Sequence, residues 1–316
     1  MVELGYALSS EEHPPDDLVD FAVGAEAAGF EHALISDHYH PWVERQGEAP
    51  FAWSVLGGIA RETDDLRVGT GVTCPFQRYH PAVVAQAAAT VADMFDGRFF
   101  LGVGTGENLN EHVTGEGWPA FDVRAGRLEE SVEVIRQLWS GENVTYRGVH
   151  VTVEDAKLFT LPDDPPPLHV SGTGPKSASM AGEIGDGLVS VAPVAEFVER
   201  FEDHGDGPTY GQVTVCYADD ERSARETALE YWPNGGSPGS VNWELRTPKD
   251  IEAATEYVDE DRIGEEIVCS PDPNDHVEQI QRFVDAGFDH VYVHQVGPDQ
   301  GAFFDFYESE VLPSFG

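Results

Sequence analysis

Apolar and polar positions follow one another in a unit that recurs along this chain: an amphipathic helix, a glycine and then a short apolar strand. In residues 17–29, Leu18, Ala22 and Ala25 stand at helical spacing, and Gly29 is placed to end the helix. The next run, 30–36, is short and apolar, which predicts a buried strand. Repeated units of this kind predict a parallel sheet whose strands are joined by helices. Outline copies of the unit occur at 94–103, 182–191 and 284–293.

Further elements fill the intervals between these units. Apolar runs predict strands at 3–7, 66–71, 169–171, 213–217 and 267–269, and helical spacing predicts helices at 81–95 and 124–139. Residues 143–161 are interpreted as an excursion of short strands, and 232–240, with three glycines and two prolines, as a loop. No linker divides the chain. We therefore expect one domain over residues 1–316, an α/β fold of the (β/α)₈ TIM-barrel type with insertions, with an open Rossmann-type sheet as the alternative.

The charge of the chain indicates the medium in which it works. There are 58 acidic residues against 18 Lys and Arg, a formal net charge of −40, and the acids are spread along the whole chain. Because salt at about 1 M shortens the Debye length to about 3 Å, we interpret this surface as halophilic, an adaptation to strong salt. Nucleic acid and anionic membranes are disfavoured as partners, since both require a basic patch.

Cysteine usage and hydropathy favour a cytoplasmic protein. Cys74, Cys216 and Cys269 lie far apart and show neither metal-binding nor disulfide spacing, which fits a reducing compartment. No apolar run reaches the roughly 18 residues of a membrane helix. The first residues also lack the basic stretch followed by an apolar one that is typical of a signal peptide.

Catalytic groups of a (β/α)₈ barrel follow the carboxyl ends of its strands, so the residues after each predicted strand are the candidates. Asp37 and His38, with Trp42, follow the second strand, and Gly104-Thr105-Gly106-Glu107 follow the fourth. Each also has a structural interpretation, because Asp37 and His38 could cap a helix and the glycines could form a tight turn. Their position favours function. The glycines do not continue as the dinucleotide pattern G-x-G-x-x-G.

The fifth strand is followed by a second glycine pair, Gly172 and Gly174, before a predicted helix start at Pro175. Such a turn lets a ligand approach the backbone and presents N–H groups to an anion. Other histidines near strand boundaries are interpreted as structural or rim residues, two of them at the opposite, amino-terminal face of the barrel. They are His40 and His80 at the rim, and His32 and His290 at the amino-terminal face.

One strand separates the two strongest candidates, His38 and Glu107. At about 4.8 Å per strand, their backbones are expected about 10 Å apart before the side chains reach inward. That separation is too wide for direct proton exchange, but it admits a flat ring system and a substrate. Because no side chain carries hydride, redox chemistry in such a space needs a cofactor.

Five groups of residues form a set that is typical of one family. They are Ser36-Asp37-His38 with Pro41-Trp42, Ala49-Pro50-Phe51, Arg78-Tyr79-His80-Pro81, residues 100–107 with Leu109-Asn110-Glu111, and residues 136–142. Over nearly its whole length the chain thus resembles the luciferase-like superfamily, and most closely the F420-dependent glucose-6-phosphate dehydrogenase-like family. The resemblance implies a TIM barrel, coenzyme F420 as cofactor, a small-molecule substrate and a homodimer.

The resemblance also implies roles for individual residues. His38 takes the proton of the substrate hydroxyl as hydride leaves for C5 of the deazaflavin, Trp42 helps to hold the transition state, and Glu107 exchanges a proton near N1 of the ring. A non-prolyl cis peptide is implied between Gly71 and Val72. The implied cofactor site comprises Asp37, Gly71, Val72, Cys74, Thr105, Gly106, Asn110, Thr173, Gly174, Lys176 and Ser177.

The chain departs from the family pattern where glucose 6-phosphate would be held. Family members grip the phosphate with Lys and Arg. In this chain Val191 replaces a Thr, Val194 the first Lys, Ala253 or a neighbour the second Lys, and Glu265 or Glu266 the Arg. A dianion that faces Val and Glu lacks charge-assisted partners. We therefore expect a small alcohol, or its ketone or aldehyde, as the substrate, with Val191 and Val194 in the substrate pocket.

Three other functions stay open. An FMN-dependent monooxygenase of the same superfamily needs a cation for the FMN phosphate, for which Lys176 is the candidate, and the acidic tail of coenzyme F420 poses a similar demand. A metal-dependent barrel hydrolase would use Asp37, His38 and His40, but such sites recruit further ligands from other strand ends. The fourth strand offers only Glu107 as a further ligand, and we assign no metal ligand. A non-catalytic flavin-binding barrel would not need the catalytic set.

We expect the protein to unfold as salt is removed. In about 0.01 M salt the Debye length is about 30 Å, so the charges of this surface repel one another across the whole molecule. Dialysis from molar KCl to dilute buffer should lower the Tm and abolish the far-ultraviolet circular dichroism of the folded state, and returning the salt should restore both. A Tm that does not change between the two buffers would contradict the halophilic interpretation.

Overall fold

The unit of helix, glycine and strand is visible near the start of the chain. The structure, a computed structural model, describes residues 2–237 and 239–316. Helix α1 (Pro15–Ala28) begins at a proline, whose missing N–H costs nothing at a helix start. Gly29 ends the helix at φ 96°, and its N–H donates to carbonyls of the last turn. Strand β2 (His32–Ile35) follows, so the predicted helix 17–29 and strand 30–36 are confirmed with bounds shifted by one or two residues.

Eight parallel strands close into a barrel, which confirms the predicted (β/α)₈ fold. The barrel order is β1-β2-β3-β4-β7-β8-β9-β11, and pairing of β11 with β1 completes the circle. Because each of these strands has a neighbour on both sides, the open Rossmann-type alternative is excluded. The strands are β1 (Glu3–Leu8), β2 (His32–Ile35), β3 (Arg67–Thr70), β4 (Phe99–Val103), β5 (Val144–Arg147), β6 (Thr152–Ala156), β7 (Leu168–Ser171), β8 (Gly187–Ser190), β9 (Thr209–Cys216), β10 (Val268–Cys269) and β11 (His290–Gln295).

Helices connect the barrel strands. In the part of the chain that the structure describes, no helix is long and apolar enough to cross a membrane. The helices are α1 (Pro15–Ala28), α2 (Ala52–Glu62), α3 (Pro81–Phe95), α4 (Asn108–Glu111), α5 (Phe121–Trp139), α6 (Pro175–Ile184), α7 (Ala195–Glu202), α8 (Glu221–Tyr231), α9 (Val241–Glu244), α10 (Pro248–Ala254), α11 (Glu260–Glu266), α12 (Pro273–Asp285) and α13 (Gln300–Phe306).

Insertions account for the remaining strands. The predicted excursion at 143–161 contains the antiparallel pair β5 and β6. The predicted strand at 267–269 is β10, which pairs with β9 outside the barrel circle. Within the predicted loop 232–240 lies a short 3₁₀ helix, Pro233–Gly236, and Pro238 of that loop lies outside the described residues.

Helix α2 has no counterpart in the prediction from sequence. It contains Gly57 and Gly58, which are unfavourable in a helix interior, and no side chain caps its start. A Cβ on Gly58 would lie 2.9 Å from Cγ2 of Val19, so the glycine lets α2 approach α1 closely. Burial of Leu56 and Ile59 on its inner face therefore outweighs weak helix propensity.

The barrel interior is filled by a separate apolar cluster, here called the plug. The rings of Phe100 and Tyr210 stack in it with centroids 5.6 Å apart. Such layers make a TIM barrel a packed core rather than a pore, so a ligand at one end of the barrel does not reach the other end through its interior. The plug consists of Ala7, Leu34, Phe100, Val189, Tyr210 and Tyr292.

Candidate active site

A cavity of about 890 Å³ opens at the carboxyl ends of the barrel strands. Its floor is formed by Ala7, Leu34 and Val189 of the plug. Cavities of this size are typical of small-molecule sites. Twelve of the sixteen residues that the sequence analysis assigns to catalysis, cofactor or substrate lie on its wall: His38, Trp42, Gly71, Val72, Thr105, Gly106, Glu107, Thr173, Gly174, Lys176, Ser177 and Val191.

Four other residues singled out from the sequence lie outside this wall. Asp37, Cys74 and Asn110 are buried behind it, each no more than 3% exposed. Val194 precedes α7 and is 37% exposed. The structure thus separates residues that can touch a ligand in the cavity from residues that can only hold the wall in place.

His38 has one ring nitrogen anchored and the other facing a carboxylate. Its Nδ1 lies 3.0 Å from the carbonyl oxygen of His40, and since a carbonyl can only accept, Nδ1 carries a proton. Its Nε2 lies 3.3 Å from Oε1 of Glu11, and both side chains are buried. The Trp42 ring packs against the imidazole with centroids 5.0 Å apart. The arrangement leaves Nε2 as the atom that can exchange a proton.

Glu11 was not anticipated from the sequence. Burial raises the pKa of its carboxyl, but the electrostatic contact with His38 and the hydrogen bond from the Ser36 hydroxyl outweigh burial and hold that pKa below its ordinary value. Glu11 is therefore a carboxylate, and its charge faces Nε2 of His38. Glu11 follows β1 in the run Ser9-Ser10-Glu11-Glu12. Its position directly after the first strand is the signal that could have identified it.

His294, near the other end of the chain, was also not anticipated from the sequence, because the end of the last strand was not considered. It lies on the last barrel strand and on the cavity wall. Its Nε2 is 2.9 Å from Oε2 of the buried Glu12, which also accepts a hydrogen bond from the N–H of Gly297. The segment after the first strand thus places a carboxylate beside each of two imidazoles on the cavity wall.

Asn110 connects the loops that carry His38 and Glu107. Its Oδ1 accepts from the backbone N–H groups of Tyr39 and His40, at 2.9 and 3.3 Å, and its Nδ2 donates to Oε2 of Glu107 at 3.3 Å. The side-chain amide accepts through its oxygen and donates through its nitrogen. Asn110 therefore fixes the relative position of the two candidate catalytic groups.

The carboxylate of Asp37 is bound by neighbouring protein groups. It accepts from the hydroxyls of Thr73 and Tyr79, at 2.7 and 2.9 Å, and lies 3.0 Å from Nη2 of Arg78. These three partners come from the β3–α3 connection. Asp37 thus orients the loop after β2, and its side chain does not face the cavity.

Arg78 also holds Glu111, a second buried carboxyl. Its backbone N–H donates to Oε2 of Glu111 at 2.8 Å, and its Nε lies 3.7 Å from Oε1. Burial raises the pKa of Glu111 to about 7, since Arg78 only partly opposes that effect and the charges of Glu107 and Asp37 add to it. One guanidinium thus serves two carboxyls in a nearly dry region.

Glycines line part of the cavity, where the wall consists of backbone without side chains. The peptide between Gly71 and Val72 is cis, as the family resemblance implies. A Cβ on Gly104 would lie 2.7 Å from Cγ2 of Val72. Gly106 has φ 73°, and a Cβ there would lie 2.9 Å from Sγ of Cys74. Cys74 therefore supports the turn from behind, and because burial raises the pKa of its thiol, it stays neutral.

The start of α6 forms another part of the wall. The N–H groups of Thr173 and Gly174 both donate to Oγ of Ser177 at 3.1 Å, so these two are not free for an anion in the structure. Lys176 lies 3.3 Å from Asp122, and both side chains are largely exposed. Arg124, which the sequence analysis missed, adds a second cation to the wall and stacks over Trp118 at 4.0 Å.

The residues that a metal-dependent hydrolase would use do not form a metal site in the described part of the chain. Asp37 is committed to Arg78 and Thr73, and Nδ1 of His40 lies 2.9 Å from the carbonyl oxygen of Leu109. Across residues 2–237 and 239–316, ligand atoms of Asp37, His38 and His40 do not converge within the 4.8 Å that a shared metal ion requires. The cavity therefore matches an organic ligand rather than a metal-bound water.

Comparison with known proteins identifies the family. The profile of the luciferase-like monooxygenase family matches residues 2–290. The chain belongs to the luciferase-like family. Within this family, the chain is 35% identical to the F420-dependent glucose-6-phosphate dehydrogenase of Microbacterium testaceum (strain StLB037), over 99% of this chain and 97% of that protein. It is 34% identical to the protein of the same name from Rhodococcus erythropolis (strain PR4 / NBRC 100887), over 99% and 97%.

Solved structures agree with this assignment to the luciferase-like family. An F420-dependent secondary alcohol dehydrogenase in complex with an F420-acetone adduct has a TM-score of 0.91 and 33% identity, covering 98% of each chain. A coenzyme F420-dependent tetrahydromethanopterin reductase from Methanopyrus kandleri has a TM-score of 0.82 over 100% of this chain and 99% of that one. At 24% identity, the second comparison bears on the fold alone.

We expect Glu111 to make the stability of this luciferase-like protein fall as the pH rises. Its folded-state pKa of about 7 lies above the ordinary 4.5, so its contribution is fully present below about pH 4.5 and is lost as the pH passes through about 7. Glu111→Gln imitates the protonated carboxyl and should remove this loss. The difference in unfolding free energy between variant and wild type should grow by up to about 3 kcal/mol from about pH 5 to about pH 8.

Denaturant unfolding at several pH values measures this difference. Glu116→Gln, which alters an exposed carboxylate on the same segment, serves as the control and should keep the pH slope of the wild type. Parallel pH profiles for the wild type and Glu111→Gln would contradict the expectation.

Proposed function

We propose that this protein is a coenzyme F420-dependent oxidoreductase that exchanges hydride with a small alcohol or its carbonyl compound. The proposal rests on one observation: His38 and Glu107 both line the same cavity above the apolar plug. Glu11 contacts His38. The F420-dependent relatives, and the neighbouring structure that holds an F420-acetone adduct, support the choice of cofactor.

The cavity wall fits coenzyme F420, which combines a flat ring with an acidic tail. Gly71, Gly104 and Gly106 make part of the wall from backbone alone, and a Cβ at any of them would collide with a neighbour. Arg124 and Lys176 bring positive charge to the wall of a chain whose net charge is −40. Nε of Arg124 is buried and makes no hydrogen bond within the described residues, which leaves it free for an anionic ligand.

The chain's own groups perform the proton steps. Coenzyme F420, when bound, supplies the hydride acceptor or donor. His38 accepts the hydroxyl proton at Nε2, and its bond through Nδ1 to the His40 carbonyl keeps the ring in the required orientation. Glu11 stabilises the imidazolium that results, and Trp42 covers one side of the imidazole. Glu107, held by Asn110, can hold or release a proton on the other side of the cavity.

A neutral alcohol suits the substrate side better than glucose 6-phosphate. Val191, Glu265 and Glu266 line the cavity, and Arg262 is already paired with both glutamates, at 2.9 and 2.6 Å. A phosphate dianion near these carboxylates would be repelled, whereas an uncharged alkyl alcohol would contact the valine. Arg282 is a cation at the exposed rim, and it is the residue on which phosphate binding would have to depend.

A titration in molar KCl tests the cofactor, and a turnover screen tests the substrate. We expect coenzyme F420 fluorescence to change saturably on addition of the protein and FMN fluorescence not to change. Reduction of coenzyme F420 should be seen with propan-2-ol and longer secondary alcohols, and not with glucose 6-phosphate. Tight FMN binding without coenzyme F420 binding would indicate the monooxygenase alternative, and turnover of glucose 6-phosphate alone would refute the substrate assignment.

Substitution of His38 and Glu11 tests the proton step. His38→Ala should lower kcat by about 10²- to 10⁴-fold, the usual contribution of a general base, without weakening coenzyme F420 binding. Glu11→Gln keeps the shape and removes the charge that faces His38, so its kcat should fall by less. His150→Ala, at an exposed position, is the matched control. Turnover of His38→Ala at the rate of the control would remove His38 from its role.

A further inference from the structure

A second cluster of chemically active side chains lies at the amino end of the barrel. Glu3 and His290 are partners in the β1–β11 register, and His32 is the partner of Gly5 in the β1–β2 register. Because side chains alternate along a strand, these three share the inner face with Ala7, Leu34 and Tyr292 of the plug. They therefore converge beneath the plug, at the end opposite the cavity.

The distances within this cluster suit a metal ion. Oε2 of Glu3 lies 2.6 Å from Nε2 of His32 and 3.4 Å from Nδ1 of His290, and all three ligand atoms lie within 4.8 Å of one another. Around a tetrahedral zinc ion with bonds of about 2.0–2.1 Å, neighbouring ligand atoms are about 3.3 Å apart. The two measured separations bracket that value, so small side-chain rotations would complete the geometry.

The surroundings leave this position available. Nδ1 of His290 is buried and makes no hydrogen bond in the described part of the chain, and its ring is held by stacking on Tyr210 at 4.4 Å. Glu3 is 47% exposed, which leaves room for water as a further ligand. The exposed Arg67, in register with His32, opposes a cation, whereas the net charge of −40 attracts one.

We propose that Glu3, His32 and His290 form a zinc site that ties together the first, second and last barrel strands. Two imidazoles and a carboxylate, with water completing four ligands, are a donor set that zinc accepts readily. The site spans the pairing of β1 with β11, where the two ends of the chain close the barrel. The sequence analysis interpreted both histidines as structural and assigned no metal ligand. The geometry indicates that their structural role is to bind a metal ion together with Glu3.

Zinc binding to the cofactor-free full chain tests the proposal. The protein is treated with EDTA, returned to molar KCl to suppress unspecific binding by the acidic surface, and dialysed against micromolar Zn²⁺ before elemental analysis. We expect one zinc per chain, and binding weaker by about 100-fold or more in Glu3→Gln and His32→Gln, which each lose a ligand. Glutamine at position 32 can still donate to Glu3, so this variant should fold. His204→Gln, at an exposed histidine, should bind as the wild type does.

Two further readouts locate the ion. Co²⁺ in place of zinc should give the visible absorption of a tetrahedral site in the wild type and in His204→Gln, and not in the ligand variants. Zinc should raise the Tm of the same two proteins alone. Equal zinc binding by the wild type and His32→Gln, or no stoichiometric zinc in the folded wild type, would overturn the proposal. Since the plug lies between the two sites, these readouts do not depend on hydride transfer.

Discussion

One buried guanidinium connects the segments on which the candidate active site depends. Arg78 donates from Nη2 to the carbonyl oxygen of Asp37 at 2.6 Å and contacts the Asp37 carboxylate, and its backbone N–H donates to Glu111. His38 follows Asp37 directly, and Glu107 begins the turn that leads to Glu111. Removing one partner of a buried pair costs about 3–5 kcal/mol, because the other charge is left unpaired. Arg78 thus holds the segments that carry both candidate catalytic groups, and Asn110 links the loops of these groups to each other.

The plug gives the barrel two independent ends. At the carboxyl end, loops of different length carry groups that can exchange protons, and Asn110 and Arg78 hold those loops. At the amino end, strands begin in register and present short-range contacts such as that of Glu3 with His32. Residues of the plug form the cavity floor and also pack beside the lower cluster, so each end keeps its own solvent access and its own chemistry.

Local signals made the fold predictable, whereas the site was only partly so. Gly29 and Gly287 end helices in left-handed turns, a requirement that is visible in the sequence itself. His38 and Glu107 could be found because they follow apolar strands. The role of Arg78 could not, because it lies 41 positions from Asp37, and its motif Arg78-Tyr79-His80-Pro81 marks the family without indicating this contact. The convergence of His32 and His290 likewise depends on barrel closure, which brings distant strands side by side.

The acidic surface and an acidic cofactor place opposite demands on the same chain. In strong salt the Debye length is about 3 Å, so neither the repulsion of the distant carboxylates nor the attraction of distant cations reaches the cavity. Binding must then depend on groups in contact, and buried charges are screened least. Arg124, whose side chain is only 8% exposed, keeps its attraction for an anion under these conditions, whereas Lys176, at 78%, loses most of it. In strong salt we therefore expect an anionic tail to be bound through buried arginine rather than through exposed lysine.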